Sequence, residues 1–251
     1  MEKINFIFKN DKLKELTRCL KDLYAINSLI KMKVDNEDIL FYTKKGKGQN
    51  ILAFKSFLFK TEDLIEVNQE LPNLDFIIHN GKNFYDNLSI MTIGEKTVAG
   101  KFEYNEGSKI INIFHISDGK LKFKFVTGNY RDIKDISKTE IENRMDPSLA
   151  LFDFKVNKED FNELKRIIRL NKSEIINLKS KNNKLSFYDN NWTMVVDTIN
   201  QDIDDEKWTF DNSHFRSISP EEDLYLYMFD TFILFKENNI TLLIGLELSA
   251  L

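Results

Sequence analysis

The residue types that could do chemistry in this chain are few and scattered. Three histidines, His79, His115 and His214, are too far apart for the spacing of a histidine-rich metal site. His79 and His115 fall in strand patterns and read as structural. The lone Cys19 sits beside an apolar helical stripe, which predicts a packed thiol rather than a nucleophile, and it excludes an intrachain disulfide. Lys44-Lys45-Gly46-Lys47-Gly48 lacks the Gly-x4-Gly-Lys-Ser/Thr spacing of a phosphate loop, and no helix follows it. It reads as a hairpin turn. The acidic runs Asp202 to Glu206 and Glu221 to Asp223 carry carboxylates of the kind that hold divalent metals, but they are expected to be solvated turns between strands. No Ser/His/Asp set can be assembled. These observations predict no enzyme, no metal and no cofactor.

Binding is the remaining class, and charge decides what can be bound. The chain of 251 residues has 36 basic and 40 acidic side chains, a net charge of −4. A protein that coats nucleic acid is usually strongly basic. Contact with DNA therefore requires the cations to be segregated on one face. No apolar run reaches the 18 or more residues of a membrane span. The stretch MEKINFIFKN lacks a secretory cleavage pattern, and the single cysteine points to a reducing, cytoplasmic setting.

The elements that would position such a face come in one pattern used twice. Ile4 to Phe8 alternates like a half-buried strand. Asn10 is expected to cap a helix carrying Leu13, Leu16, Leu20 and Leu23, and strands follow at Ser28 to Val34 and Ile39 to Tyr42. Near residue 150 the order returns. Phe152 and Phe154 alternate, Asn157 takes the cap, Phe161, Leu164, Ile167 and Ile168 form the stripe, and strands follow at Ile175 to Lys179 and Leu185 to Tyr188. Glu15-Leu16 with Arg18 corresponds to Glu163-Leu164 with Arg166, and Phe41-Tyr42 to Phe187-Tyr188, at offsets of 146 to 148 residues.

Both halves continue alike. The first is expected to have strands at Ile51 to Phe59 and Leu74 to His79, a helix at Gly81 to Met91, then strands at Thr97 to Tyr104, Lys109 to Ile116 and Leu121 to Val126. The second is expected to have strands at Trp192 to Ile199 and Lys207 to Phe210, and a very short helix at Asn212 to Ile218. Strands at Leu224 to Phe229, Phe232 to Lys236 and Thr241 to Glu247 close it. The boundaries are domain one at 1–127, a polar connector at 128–147 and domain two at 148–251, with two helices in each domain.

At 100° per residue, Lys14, Arg18 and Lys21 project away from the first apolar stripe, diluted there by Glu15 and Asp22. Lys158, Asn162, Lys165, Arg166 and Arg169 lie off the second stripe, and Glu159 and Asp160 occupy the first turn, where the helix dipole favours acids. Two equivalent helices, basic on equivalent faces of an acidic protein, suit sequence-independent contact with phosphates.

With these helices, Ala25-Ile26-Asn27-Ser28, the stretch Lys158 to Tyr188 and the closing strands Leu224 to Glu247, the chain resembles the sliding clamps that tether replicative DNA polymerases. The likeness is to the T-even bacteriophage clamp and, at greater distance, to proliferating cell nuclear antigen. It implies an α+β fold of two similar clamp domains, antiparallel sheets outside and two helices each on the inner face. It also implies a homotrimeric ring around duplex DNA, a clamp loader and a polymerase as partners, no enzymatic activity, and the cytoplasm of a host cell if viral. The residues placed against DNA are Lys12, Lys14, Arg18, Lys21, Lys82, Lys158, Lys165, Arg166, Arg169, Lys172 and Arg216. Those placed at the client pocket are Tyr42, Ile133, Ile136, Leu248 and Leu251. The sequence departs from the pattern in its short last helix and in a long segment at Val67 to Leu74. A β-rich virion assembly protein and a nuclease with unplaced carboxylates are the competing readings. Retention on closed circular DNA and metal-dependent turnover discriminate among them.

Overall fold

The computed structural model describes residues 1–46, 52–94, 96–108, 110–127, 143, 145–181, 184–197, 207–215, 218, 220, 222–237 and 240–246. The connector up to residue 142, the acidic run 202–206, and Ile133, Ile136, Arg216, Leu248 and Leu251 lie outside them. Two compact units divide the chain, Met1–Lys44 with Lys55–Lys134, and Lys45–Phe54 with Asp135–Leu251.

The first unit runs β1 (Glu2–Phe8), α1 (Asn10–Ile26), β2 (Ile30–Val34), β3 (Asp38–Lys45), β4 (Ala53–Lys60), α2 (Thr61–Leu64) and β5 (Ile65–Val67). It continues with β6 (Leu74–Ile78), α3 (Gly81–Met91), β7 (Val98–Asn105), β8 (Ile110–Ser117) and β9 (Lys122–Val126). The second unit opens on a 3-10 turn at Pro147–Leu149, then β10 (Phe152–Val156), α4 (Lys158–Asn171), β11 (Ile175–Lys181), β12 (Lys184–Tyr188) and β13 (Thr193–Asp197). β14 (Lys207–Asp211), α5 (Asn212–Phe215), β15 (Leu224–Met228), β16 (Phe232–Glu237) and β17 (Ile240–Gly245) complete it.

Strand order exposes the duplication. β4-β3-β2-β6 in the first unit has the same sequential arrangement as β13-β12-β11-β14 in the second. β1-β7-β8-β9 likewise corresponds to β10-β15-β16-β17. The pairings whose register is described within the units are antiparallel apart from one parallel bridge, Asp75 to Ile110, between β6 and β8.

Phenylalanine builds both interiors. In the first unit Phe6 lies 4.6 Å from Phe102, Phe102 5.2 Å from Phe114, and Phe84 5.6 Å from Phe114, all centroid to centroid. In the second, Phe215 meets Phe161 at 4.9 Å and Phe235 at 5.7 Å. Each buried ring contributes about 1.5–3 kcal/mol, and each favourable pair adds roughly 0.5–1.5 kcal/mol. Gly100 is required here, because a Cβ at that position would lie 2.1 Å from the Phe6 ring.

The helix starts correct one expectation. Asn10 is the first helical residue rather than the cap; Lys9 takes that place without a side-chain bond, and its carbonyl accepts from Lys12 and Leu13 N–H at 3.1 and 3.0 Å. Asn157 and Asn80 do cap, accepting from the N–H groups of Asp160 at 2.8 Å and Asn83 at 2.9 Å. A second difference is the stretch after β4. α2 gives the first unit a third helix, and β5 adds to the edge of β1, Ile65 opposite Phe8. The rest of the long segment is pinned, with Leu71 buried and its N–H donating to Asn36 Oδ1 at 2.6 Å.

The turn between β8 and β9 holds Asp118. Its carboxylate accepts from Leu121 N–H at 2.7 Å and meets Lys96 at 2.9 Å, and these contacts, the backbone one first, hold its pKa down to about 2. A depressed carboxyl contributes stability above the ordinary carboxylate range and loses it as pH falls. The β8–β9 hairpin is therefore expected to keep its turn at pH 4 and to lose it as pH falls through about 2, read by NMR titration of Asp118. A midpoint near the ordinary value would remove the turn's hold.

Candidate nucleic-acid interface

The face on α1 follows from the position of its core stripe. Leu13, Leu16, Leu20 and Leu23 are buried, which turns Lys14 and Lys21 fully outward and leaves Arg18 half-buried. α3 packs alongside α1, the rings of Tyr24 and Tyr85 lying 5.3 Å apart. Two of the expected cations are tied to acids on their own helix. Lys12 meets Glu15 at 2.9 Å, and Lys82 meets Asp86 at 2.6 Å. The hydrogen bond to the acid raises each ammonium pKa. Exposed i,i+3 and i,i+4 pairs of this kind are weak, so a phosphate competes with them readily.

On α4 the stripe of Phe161, Leu164 and Ile168 is buried, and Arg166 and Arg169 stand exposed. Neither guanidinium has a hydrogen-bond or ion-pair partner among the described residues. Lys165 lies at the border of the stripe, half-buried, and its ammonium donates to the Ile218 carbonyl. Lys158 is half-buried; its backbone N–H donates to Asp223 Oδ1 at 3.0 Å. Lys172 follows the helix in the left-handed conformation, φ 52°, with its side chain exposed.

Asp223 is more than the solvated turn expected of its acidic run. It also meets Lys155 at 2.7 Å, and that ammonium, followed by the Lys158 N–H, lowers its pKa. It thereby ties the start of β15 to the start of α4.

Among the client-pocket residues only Tyr42 is described. It is fully buried in β3 and has no surface to offer a partner. The large ring completes the first unit's interior, which the alternation around Phe41-Tyr42 does not reveal. Cys19 is buried outright, and burial pushes its thiol pKa up. Among the described residues no cluster of three histidine, cysteine, aspartate or glutamate side chains could hold a metal ion. No described helix is long and apolar enough to cross a membrane.

The sequence reading missed a cavity beside α4 that brings Asn162 together with Asn212 and Phe215 of α5. Nothing in local spacing links residues fifty positions apart, so no sequence signal could have found it.

No family model matches the chain, and no curated protein does. Solved structures do. Proliferating cell nuclear antigen from Thermococcus kodakaraensis is similar with a TM-score of 0.67 at 13% identity, over 97% of this chain and 100% of that one. The antigen from Entamoeba histolytica matches at 0.66 and 10% identity, over 97% and 98%. The DNA polymerase III beta subunit of Borrelia burgdorferi matches at 0.66 and 15% identity, over 98% of this chain but 65% of the subunit, so this chain spans about two thirds of its length. Duplicated topology, antiparallel sheets and few helices define an α+β chain of two repeated units. Matched end to end by these structures, the chain has the sliding-clamp fold.

Proposed function

We propose that the chain is a sliding clamp that encircles duplex DNA as a homotrimeric ring and tethers a replicative polymerase. The fold match along the whole chain carries this reading, and the outward cations of α1 and α4 support it. The ring has no chemistry of its own. A clamp loader opens it, and polymerase binds the second unit; in a virus it works in the cytoplasm of the host cell.

Ring closure draws support from two unfinished edges. Among the described residues β9 pairs only with β8, and β13 ends its sheet beside β12. Val126 and Val195 are 66% and 53% exposed on them. Bare edges of this kind invite pairing, and closure consumes them. β9 of one subunit is therefore expected to pair with β13 of the next. Mass in solution should be that of a trimer, and the protein should stay on closed circular duplex while sliding off linear duplex. A strictly monomeric species that binds both DNAs equally would defeat the reading.

The client site is assigned to the second unit with the connector and the apolar carboxyl end, through Ile133, Ile136, Leu248 and Leu251. Two or three such side chains contribute about 1.5–3 kcal/mol each when buried, which suits a partner that binds and releases repeatedly. Removal of Ser249 to Leu251, or Ile136→Asp, is expected to abolish stimulation of polymerase with the trimer intact. Full stimulation by the truncated ring would place the client elsewhere.

A further inference from the structure

A trough of about 480 Å³ crosses the exposed side of the sheet formed by β5, β1, β7, β8 and β9. Strand register builds it. Phe6 and Ile116 are buried in the interior of the first unit, so their neighbours along β1 and β8 face outward. One outward row runs Glu66, Ile7, Ala99, Ser117, Lys122, one residue from each strand. The next runs Asn5, Lys101, His115, Lys124. Ala99 and Ser117 are short residues between Ile7 and Lys122, and that gives the trough its depth.

Its chemistry changes from end to end. Glu66 stands at the β5 end. In the middle Ile7 is 41% exposed beside exposed Ala99, an uncovered apolar patch. At the β9 end Lys122 and Lys124 are exposed, and neither ammonium has a partner among the described residues. Lys101 differs, since Glu103 already holds it at 2.5 Å. His115 lines the trough, its Nε2 3.4 Å from Glu103 Oε1 and so beyond normal hydrogen-bond length. Asn5 and Asn68 add side-chain amides that have no partner among the described residues.

This pattern discriminates among occupants. Duplex DNA presents a continuous row of phosphates, which Glu66 and Glu103 repel. A small anion makes no use of the apolar middle. An extended peptide uses all of it: carboxylates at Lys122 and Lys124, an apolar side chain on Ile7 and Ala99, and main-chain groups on the two amides. The spacing follows from the sheet. Three strand steps of about 4.8 Å separate Ile7 from Lys122, which is roughly 14 Å or about four residues of extended chain.

We propose that this trough docks an extended acidic segment of a partner protein, with an apolar side chain about four residues from a pair of carboxylates. The surface belongs to the first unit and is not the client site assigned to the second. Pairing at the free edge of β9 uses backbone groups and leaves this face open.

The test is NMR of the full-length protein with labelled histidine, titrated at constant ionic strength. The probes are two blocked hexapeptides, Ile-Ser-Gly-Ser-Asp-Asp and its reverse. Burial and then the nearby lysines, Lys101 before Lys124, hold the His115 pKa below its ordinary value against the pull of Glu103. Carboxylates arriving at Lys122 and Lys124 offset those cations, so at least one peptide is expected to shift His115 saturably and to raise its pKa. His79, outside the trough, should not respond. Lys122→Gln with Lys124→Gln is expected to weaken binding about tenfold, and Ile7→Ser to weaken it less. Amides in place of the peptide's two carboxylates should cost as much as the lysine changes, with the protein untouched, so a folding defect cannot imitate the result. No saturable shift with either peptide, or equal binding of the amide form, would overturn the proposal. Saturation by a short duplex where the peptides fail would overturn it too and assign the face to nucleic acid. None of these outcomes depends on retention on circular DNA, which tests the clamp reading separately.

Discussion

Reversing two charges on α4, Arg166→Glu with Arg169→Glu, is expected to lower retention on circular duplex on the order of 100-fold at moderate salt. Both side chains are exposed and unpaired among the described residues, so the change alters the surface proposed to meet DNA without reaching the core. The slope of log affinity against log salt should become shallower by about 0.9 for each phosphate that the variant no longer neutralises. Melting temperature and mass should hold, because exposed substitutions away from special features usually change stability by no more than about 0.5 kcal/mol. Lys82→Glu makes the comparison, since that ammonium already shares itself with Asp86; its effect should be much smaller. Undiminished retention in the double variant would remove α4 from the path of the DNA.

The largest expected effect on stability comes from Asp22→Ala. Asp22 faces inward from α1 and accepts from Lys55 Nζ on β4 at 2.7 Å, and Lys55 is 1% exposed. The ammonium also lies 5.1 Å from the Phe57 ring centroid. Breaking a buried ion pair by removing one partner costs about 3–5 kcal/mol. For a chain of this size that is a fall in Tm of roughly 6–20 °C. Replacing both partners, Asp22→Leu with Lys55→Met, should recover most of the loss, because well-packed apolar groups often substitute for a buried pair without cost. A double variant as unstable as the single one would show that the charge is needed for something other than its partner.

The two halves and their order were legible because their signals are local and repeated. Alternation marked β1 and β10, where one face is buried and the other is more exposed. α3 spans Gly81–Met91 as its pattern indicated, with Phe84, Leu88 and Met91 inside. Local signals fail where a residue's surroundings come from elsewhere in the chain. Lys31 carries a charge yet is buried in β2 against Asp75 of the neighbouring β6 at 3.0 Å. β3 and β4 are buried on both faces over most of their length, so alternation says nothing about Tyr42. The three residues of β5 are too few to show a period and exist as a strand because β1 offers them an edge. The basic helix faces were readable, since a stripe and its opposite side follow from 3.6 residues per turn. The cavity behind Arg166 and Arg169 was not, because Asn212 arrives there from a different element.

The pairing of β1 with β7 has a consequence for how the chain is made. Glu2 to Phe8 emerge from the ribosome well before their partners Val98 to Tyr104, and β5 covers only one edge. Until β7 is synthesised, Phe6 and Phe8 have only the short β5 beside them and the other edge of β1 stays bare. Non-local pairing of this kind is slow, and the waiting chain shows apolar strand edges to its neighbours. The second unit repeats the arrangement, β10 waiting for β15. Translation of this protein thus passes through two vulnerable intervals, each ending when a late strand returns to the first strand of its own unit.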